Sequence, residues 1–298
     1  MKVAVLLRWM GLILMAAPCG AQPARSDSAA ETVTVDGLRQ KDADVERHFS
    51  QSVLEPSGVD DRQYALWKQK LCVHVSGLDP AMSALVEQRI TQVAARAGAP
   101  FDTSNLCHPN ALIYFTSHPQ ALLDAIAKKQ PERIYSHNLN RATITQPAQS
   151  WYMTLGRNQD GEVGIDAECG YRGLPDPPFC GSPGPSLDTR LQTGLSPELG
   201  SATVLVDIKA VEGISLGTLA DYLAMKVLIP LPPNDLCKPA PSIVNLMVKD
   251  CDGRTDSLSD LDIALLYGLY HSADDRLDQL QRQRLVENMR KALENPGK

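Results

Sequence analysis

Apolar positions along the chain change several times from the spacing of a strand to the spacing of a helix. Runs rich in β-branched and aromatic residues, typical of strands, occupy 70–76, 111–115, 150–155 and 202–208. Apolar residues three and four apart, typical of amphipathic helices, lie between and after them. This order predicts an α+β fold (mixed α/β) with a sheet of about four to five strands packed against helices. The predicted helices are 80–97, one that begins at Pro119, 216–229, 259–270 and 274–293.

Capping residues mark the ends of two of these helices. Asp79 followed by Pro80 is a typical helix start, because the aspartate can accept from the first backbone N–H groups and proline suits the first turn. Gly98 can end the same helix in a left-handed conformation. Ser259 and Asp262 have the spacing of a capping box at the start of a later helix.

Composition divides the chain into three parts: a signal peptide at 1–21, a mobile polar leader at 22–60 and a single disulfide-stapled globular domain at 61–298. The leader contains few large apolar residues, so the core is expected to begin near Tyr64. Within the globular part, residues 138–200 are rich in glycine and proline. That composition predicts a loop-rich insertion.

Residues 1–21 have the pattern of an export signal. Lys2 and Arg8 give a basic start, residues 9–17 form a short apolar run, and cleavage is expected near Ala21. The apolar run is too short to cross about 30 Å of hydrocarbon, so we expect no transmembrane span in the mature chain. Lipidation at Cys19 is an alternative, which Pro18 immediately before it disfavours. We therefore expect a periplasmic or secreted protein.

The cysteines beyond the signal predict disulfide bonds. Of the seven cysteines only Cys19 lies in the signal, which leaves an even number, as in exported disulfide-bonded proteins. A zinc site is disfavoured because no Cys-x-x-Cys pair occurs. Several pairings are possible, and we favour those between sequence neighbours. The expected pairs are Cys72 with Cys107, Cys169 with Cys180, and Cys237 with Cys251.

Composition and charge exclude several classes of protein. The chain has 298 residues, is 43% hydrophobic and carries a net charge of −6, so it is neither a disordered polyelectrolyte nor a multispan membrane protein. Nucleic acid is not an expected partner, because its binding requires a basic face. The chain has neither a phosphate-binding lysine loop nor a G-x-G-x-x-G fingerprint, so we expect no cofactor.

A zinc peptidase helix would carry two histidines four residues apart with a glutamate between them. No two of the histidines have that spacing, and none occurs between residues 138 and 270. The sequence therefore predicts no metal site. The histidines are His48, His74, His108, His118, His137 and His271.

Serine hydrolysis is the alternative activity. Residues 213–217 (GISLG) match G-x-S-x-G between a strand and a helix, with Ser215 as the candidate nucleophile. Asp250 (or Asp252) and His271 follow in the order that a Ser-Asp-His triad can take. Ser215 is equally suited to be the N-cap of the next helix, and several residues separate the strand from the first glycine. The enzyme question stays open on the sequence, and we favour a non-catalytic protein.

Four further residues are candidates for ligand binding: Asp221, Tyr222, Arg190 and Asp207. Asp221 and Tyr222 are adjacent on a helix, so their side chains diverge by about 100° and cannot face one cavity equally. If these residues are structural and bind no ligand, we expect Tyr222 in apolar packing, Asp221 in contact with solvent and Asp207 on one side of a strand. Each of the four residues therefore needs its contacts before it is assigned to a site.

Short segments over residues 64–272 together resemble a family of uncharacterised exported bacterial proteins that is distantly similar to zincin-like peptidase domains. The resemblance implies a sheet with a long helix behind its edge strand, and in zincins that helix bears the metal ligands. Here 216–229 takes its place without any histidine, so the resemblance implies a degenerate zincin-like fold and carries over no catalytic residue. The segments are Trp67, Leu71–Val73, Arg89-Ile90 with Ala94, Cys107-x-Pro109-Asn110 before Ile113–Thr116, Trp151-Tyr152, Val204–Asp207, Leu219–Met225, Ser242–Leu246 and Leu266-Tyr267.

These patterns lead to three functional hypotheses. The favoured one is a non-catalytic, peptidase-like binding domain for a peptide or envelope component. The others are a serine hydrolase through Ser215, and a purely structural envelope protein. A pocket beside helix 216–229, lined by Asp221 or Tyr222, favours the first, whereas Ser215 and His271 within hydrogen-bond reach favour the second.

Overall fold

The alternation of strands and helices is present in the computed structural model, which describes residues 44–54, 63–104, 106–129, 143–158, 160–164, 195–232, 236–272 and 278–295. The helices are α1 at 44–53, α2 (Pro80–Ala97), α3 (Pro119–Lys129), α4 (Leu216–Leu228), α5 (Asp260–Tyr270) and α6 (Asp278–Glu294). The strands are β1 (Val73–Ser76), β2 (Ala111–Thr116), β3 (Ala148–Asn158), β4 (Val163–Gly164) and β5 (Leu195–Asp207). A 3₁₀ helix, Ile243–Met247, lies between α4 and α5.

The five described strands form one mixed sheet in the order β1-β2-β5-β3-β4. Strands β1, β2 and β5 run parallel, with Val73 opposite Ala111 and Ala111 opposite Ala202. Strand β3 is antiparallel to β5, and β4 is antiparallel to β3. A mixed sheet packed with helices is an α+β fold, so the predicted fold class and strand number are confirmed.

The two faces of the sheet have separate cores. Alternate residues of β5 point to opposite faces, as the pleat requires: Val204 lies in the large core with α2, α4 and α5, whereas Leu205 lies in a small core with α3. Trp151 of β3 and Leu123 and Ile126 of α3 complete the small core. The sheet is therefore covered by helices on both faces.

The predicted caps are confirmed. The Asp79 carboxylate accepts from the backbone N–H groups of Ala81 and Met82, and Gly98 ends α2 with a φ of 79°. Ser259 and Asp262 form a complete capping box at the start of α5. Each cap is formed by residues within a few positions of the helix end, so it can be predicted from the sequence.

Helix α4 lies in the centre of the described structure. Every residue from Thr218 to Leu228 is buried, since α4 packs against α2, β5 and the 3₁₀ helix. Most of these buried residues are apolar, and they lie on every side of the helix, with Asp221 and Lys226 buried among them. Apolar burial around α4 therefore extends beyond the single stripe of an amphipathic helix.

The folded body begins earlier than predicted. Residues 44–53 are helical, and Phe49 and Val53 of α1, four residues apart on one face, are fully buried in the core. The predicted mobile leader at 22–60 therefore extends too far toward the C-terminus. The predicted signal peptide at 1–21 lies outside the described residues.

The predicted loop-rich insertion at 138–200 is wrong for much of its described part. Residues 148–158 pair with 195–206 along their length. A β-bulge between Met153 and Thr154 accommodates a shift in the pairing register. Pairing with partners distant in sequence sets the length of these strands. Residues 165–194, with most of the glycines and prolines of this region, lie outside the described residues.

Two of the three expected disulfide bonds are confirmed. Cys72 is bonded to Cys107 with Cα atoms 6.0 Å apart, and Cys237 to Cys251 with Cα atoms 5.5 Å apart. The third expected pair, Cys169 and Cys180, lies outside the described residues. None of the helices in the described part of the chain is both long and apolar enough to cross a membrane.

Candidate functional site

A pocket lies beside α4, at the side of the helix that carries Tyr222. The cavity has a volume of about 20 Å³, enough for about one water molecule, and it opens to solvent. Polar side chains and an apolar wall share the lining, which suits a ligand with both kinds of group. The lining residues are Gln146, Tyr222, Lys226, Leu231, Pro232, Lys238, Val244, Met247 and Val248.

One turn of α4 supplies two of the polar groups. Tyr222 and Lys226 are four residues apart and therefore lie on the same face of the helix. The Lys226 ammonium lies 5.4 Å from the centroid of the Tyr222 ring, within the range of a cation–π interaction. Only 3% of Lys226 and 5% of Tyr222 is exposed, so the ring and the cation are largely shielded from bulk water.

The loop closed by the Cys237–Cys251 disulfide supplies the second lysine. Buried Asn245 holds this loop: its side-chain oxygen accepts from the Lys238 backbone N–H at 2.7 Å, and its amide group donates to the carbonyls of Ala240 and Gly253, each at 3.1 Å. Lys238 itself is 6% exposed, and this burial lowers the pKa of its ammonium group. The backbone at Lys238 is therefore fixed beside the pocket.

A buried carboxylate attaches the 3₁₀ helix, which forms part of the wall, to α5. Asp262 is fully buried and accepts from the Ser242 hydroxyl, the Ile243 backbone N–H, and the backbone N–H and hydroxyl of Ser259. Burial raises the pKa of Asp262, and the hydrogen bonds oppose that rise. One side chain thus caps two helical segments and sets the position of Val244.

The C-terminal end of α4 is capped by aromatic side chains. The last carbonyl groups of a helix have no partner within it, and here three of them accept from other elements. The hydroxyl of Tyr152 donates to the carbonyl of Lys226 at 2.7 Å, the indole N–H of Trp67 to that of Val227 at 2.8 Å, and the hydroxyl of Tyr270 to that of Leu228 at 2.7 Å. These bonds fix the end of α4 that borders the pocket.

Asp221 has a structural role on another face of α4. Its carboxylate accepts from Arg89 of α2 through two bonds of 2.6 and 3.0 Å, and from the backbone N–H of Leu258 at 3.2 Å. The hydrogen bonds with Asp221 raise the pKa of Arg89. The structural interpretation of Asp221 as solvated is wrong, because its side chain is only 3% exposed. Tyr222 lines the pocket and Asp221 does not.

The candidate triad residues have separate local partners. Ser215 is the N-cap of α4, with its hydroxyl 3.1 Å from the Thr218 backbone N–H. His271 ends α5, stacks on Tyr267 with ring centroids 3.7 Å apart and bonds the Tyr267 carbonyl through Nδ1. Asp250 is exposed in a turn with a φ of 53°. The structure records no contact among Ser215, Asp250 and His271 in the described part of the chain.

The remaining two binding candidates lie away from the pocket lining. Asp207 is at the end of β5, where its carboxylate accepts from the Lys209 backbone N–H at 3.0 Å and closes a turn. Arg190 lies outside the described residues. Within the described ranges, no group of three or more histidine, cysteine, aspartate or glutamate side chains is placed to hold a metal ion.

Sequence reasoning missed most of the groups that form the pocket. Lys226 had a signal, since it is a lone charge within an otherwise apolar helical stretch (YLAMKVL). Lys238 and Gln146 had none, because they reach the pocket from loops that are distant in sequence. Asn245 and Asp262 act through contacts that only the folded chain creates.

No protein-family model matches this chain, and neither a curated protein nor a solved structure is found to be similar to it. The resemblance to zincin-like peptidase domains therefore stays a prediction. The functional interpretation rests on the contacts around α4.

Proposed function

We propose that this chain is an exported, non-catalytic binding protein that holds a peptide or an envelope component in the pocket beside α4. The single observation that carries the proposal is the pocket itself, whose lining combines Tyr222 and other polar side chains with apolar ones. A concave site with an apolar wall and a few placed polar groups is the usual form of a ligand site.

The surroundings of the pocket support binding by a pre-organised site. The end of α4, the disulfide-closed loop and the 3₁₀ helix are each held by buried hydrogen bonds. A wall that is already ordered loses less conformational entropy when a ligand binds. This rigidity favours a pocket that exists before its ligand arrives.

Serine hydrolysis is not proposed. Ser215 serves as a helix cap and His271 bonds its own helix, so neither has the contact that a nucleophile and its base require. Labelling of the folded protein with a serine-directed fluorophosphonate is expected to give no adduct at Ser215. An adduct at that residue would instead support the hydrolase.

Export is the part of the proposal that the disulfide bonds support. Disulfides persist in oxidising compartments and are rare in the cytosol, and two are present in the described residues. We propose cleavage of a signal peptide near Ala21 and a periplasmic or secreted location. Intact-mass analysis of the exported protein is expected to show a start at Gln22, and a diacylglyceryl mass at Cys19 would contradict it.

The peptidase-like character of the domain is part of the same proposal. What supports it is a mixed sheet with an antiparallel strand, β3, next to β5, followed by the buried helix α4. The strand before α4, β5, is the central strand of the described sheet and not its edge strand. The helix carries no histidine. A peptidase-like groove without its metal ligands would retain binding and lose hydrolysis.

Blocking the pocket tests the proposal. Half-buried Met247 lines the pocket, so Met247→Trp fills it, whereas Leu106→Trp adds the same side chain at a site that is 89% exposed. The probes are a fluorescein-labelled random hexapeptide library and soluble peptidoglycan fragments, with binding measured by fluorescence anisotropy and calorimetry respectively. We expect one probe to bind the native protein and the Leu106→Trp control, and to lose at least tenfold in affinity with Met247→Trp. Equal affinity for all three proteins, or no binding of either probe, would refute the proposal.

A further inference from the structure

We propose that Cys237 is a site of reversible S-thiolation, at which a small-molecule thiol opens the Cys237–Cys251 disulfide and becomes attached to Cys237. The bond that the thiol forms is a mixed disulfide, the intermediate of every thiol–disulfide exchange. Cys251 is the sulfur that leaves, and it later restores the original bond.

The two cysteines of this disulfide differ in their access to solvent. Exchange depends on whether a thiolate can reach the sulfur that it attacks. Cys237 is exposed and its neighbour Leu236 is 68% exposed, whereas Cys251 is only 2% exposed. A thiolate in solution can therefore reach Cys237 but not Cys251, and attack at Cys237 makes Cys251 the leaving group.

The Cys72–Cys107 disulfide is less accessible. Cys72 is 3% exposed and Cys107 is half-buried. The backbone of Cys72 is also fixed, because its N–H donates to the side-chain oxygen of Asn110 at 2.8 Å and its carbonyl accepts from the Asn110 backbone N–H at 3.1 Å. Exposed disulfides are the labile ones, so the structure favours exchange at Cys237 over exchange at this second bond.

The loop between Cys237 and Cys251 is held closed by bonds that do not involve sulfur. Fully buried Asn245 accepts from the backbone N–H of Lys238, which follows Cys237, at 2.7 Å. The same side chain donates to the carbonyl of Gly253, two residues after Cys251, at 3.1 Å. One asparagine thus joins both ends of the loop, and it keeps the two cysteines close together after their bond opens.

The exchange step is balanced without an added oxidant. The sulfur of the thiolate forms a bond to Cys237 Sγ, and the Cys237–Cys251 bond breaks with its electron pair on Cys251 Sγ, which then takes a proton from water. In the reverse step the Cys251 thiolate attacks Cys237 Sγ and expels the small thiol. Because the loop keeps Cys251 nearby, this reverse step is intramolecular and has the advantage of a high effective concentration. The attached thiol is therefore released when free thiol becomes scarce.

The first test measures which disulfide of the full-length oxidised protein opens first. The protein is incubated with excess reduced glutathione, quenched with acid at intervals, alkylated in denaturant and mapped by mass spectrometry. We expect the Cys237–Cys251 bond to open about tenfold faster than the Cys72–Cys107 bond. Equal rates, faster opening of Cys72–Cys107, or no opening of either bond overturns the proposal.

A matched pair of variants tests which sulfur takes the thiol. Cys251→Ser and Cys237→Ser lose the same disulfide and differ in the sulfur that remains. With oxidised glutathione, Cys251→Ser should gain a glutathionyl group at Cys237 about tenfold faster than Cys237→Ser gains one at Cys251. Equal rates in folded variants contradict the assignment of Cys237. Circular dichroism verifies the fold, and the measurement on the native protein decides if either variant does not fold.

A third measurement tests reversal. Reduced protein is placed in excess oxidised glutathione, and peptide mapping follows the adducts over time. The adduct at Cys237 should give way to the Cys237–Cys251 bond at a rate that does not depend on protein concentration, because the closing step is intramolecular. Protein that carries glutathione on both Cys237 and Cys251 would show that the loop does not hold the pair together, and it would overturn the reversible site.

Discussion

The ion pair between Arg89 and Asp221 makes an asymmetric prediction about stability. The pair joins α2 to α4 through two hydrogen bonds, and its members differ in burial: 35% of the Arg89 side chain is exposed, but only 3% of the Asp221 side chain. Removal of either partner deletes the same contacts. The variants differ in what remains, because Arg89→Met leaves a buried carboxylate and Asp221→Asn leaves a guanidinium at the surface.

The expected magnitudes follow from that difference. A buried charge that loses its partner costs about 3–5 kcal/mol, so Arg89→Met should lower the free energy of unfolding by about that amount. In Asp221→Asn the guanidinium can be hydrated where it is exposed, and the new side-chain oxygen can still accept from the Leu258 backbone N–H. We therefore expect a loss of about 1–2 kcal/mol for Asp221→Asn.

Urea unfolding monitored by tryptophan fluorescence measures both values. Arg96→Met is the matched control, since Arg96 is exposed on the same helix, and it should change the free energy of unfolding by no more than about 0.5 kcal/mol. A loss for Asp221→Asn that equals or exceeds the loss for Arg89→Met would show that burial of the carboxylate does not determine the cost. An unchanged free energy of unfolding in Asp221→Asn would refute the structural role assigned to Asp221.

Three further changes test the framework around the pocket. Trp67→Phe removes the donor to the Val227 carbonyl at the end of α4, and thermal unfolding should show a loss of about 1–3 kcal/mol, whereas a change within error would argue against that cap. Burial raises the pKa of Asp262, so the folded state binds this proton more tightly than the unfolded state. The stability of the native protein relative to Asp262→Asn should therefore be greatest at low pH and fall as the pH rises from about 3.9 through the raised pKa. Urea titrations at several pH values measure this difference in stability. A difference that rises over the same pH range would contradict a raised pKa. Replacement of Cys237 and Cys251 by serine opens a loop with a sequence separation of 14 and should cost about 3 kcal/mol by calorimetry, and no change would refute this restraint.

The sequence predicted the elements best where the information is local. The start of α2 at Asp79 and Pro80 and its end at Gly98 were confirmed, because a cap acts within one turn of its helix. Strand β3 was underestimated, since residues 148–149 and 156–158 become strand only by pairing with β5. Composition favoured loops there, and the long-range ladder outweighed it.

The candidate site was predicted only in part. Tyr222 was singled out and lines the pocket, but its neighbour Asp221 turned out to be half of an ion pair with α2. The partner, Arg89, lies far away in the chain, and no local pattern connects the two. Lys238 and Gln146 share the pocket with Tyr222 for the same reason, because the fold brings three distant segments together.

By itself, the sequence determined the helix caps, the strands of the parallel part of the sheet and the absence of a histidine on α4. Each of these follows from residue type and short spacing, which the unfolded chain already contains. Only the tertiary structure decided that Asp221 binds Arg89, that Asn245 and Asp262 hold the pocket wall, and that Lys226 and Lys238 line the same pocket. Burial, charge pairing and the shape of a pocket depend on contacts between residues that are distant along the chain. These contacts contribute to stability only in the folded state, so no local pattern in the sequence shows them.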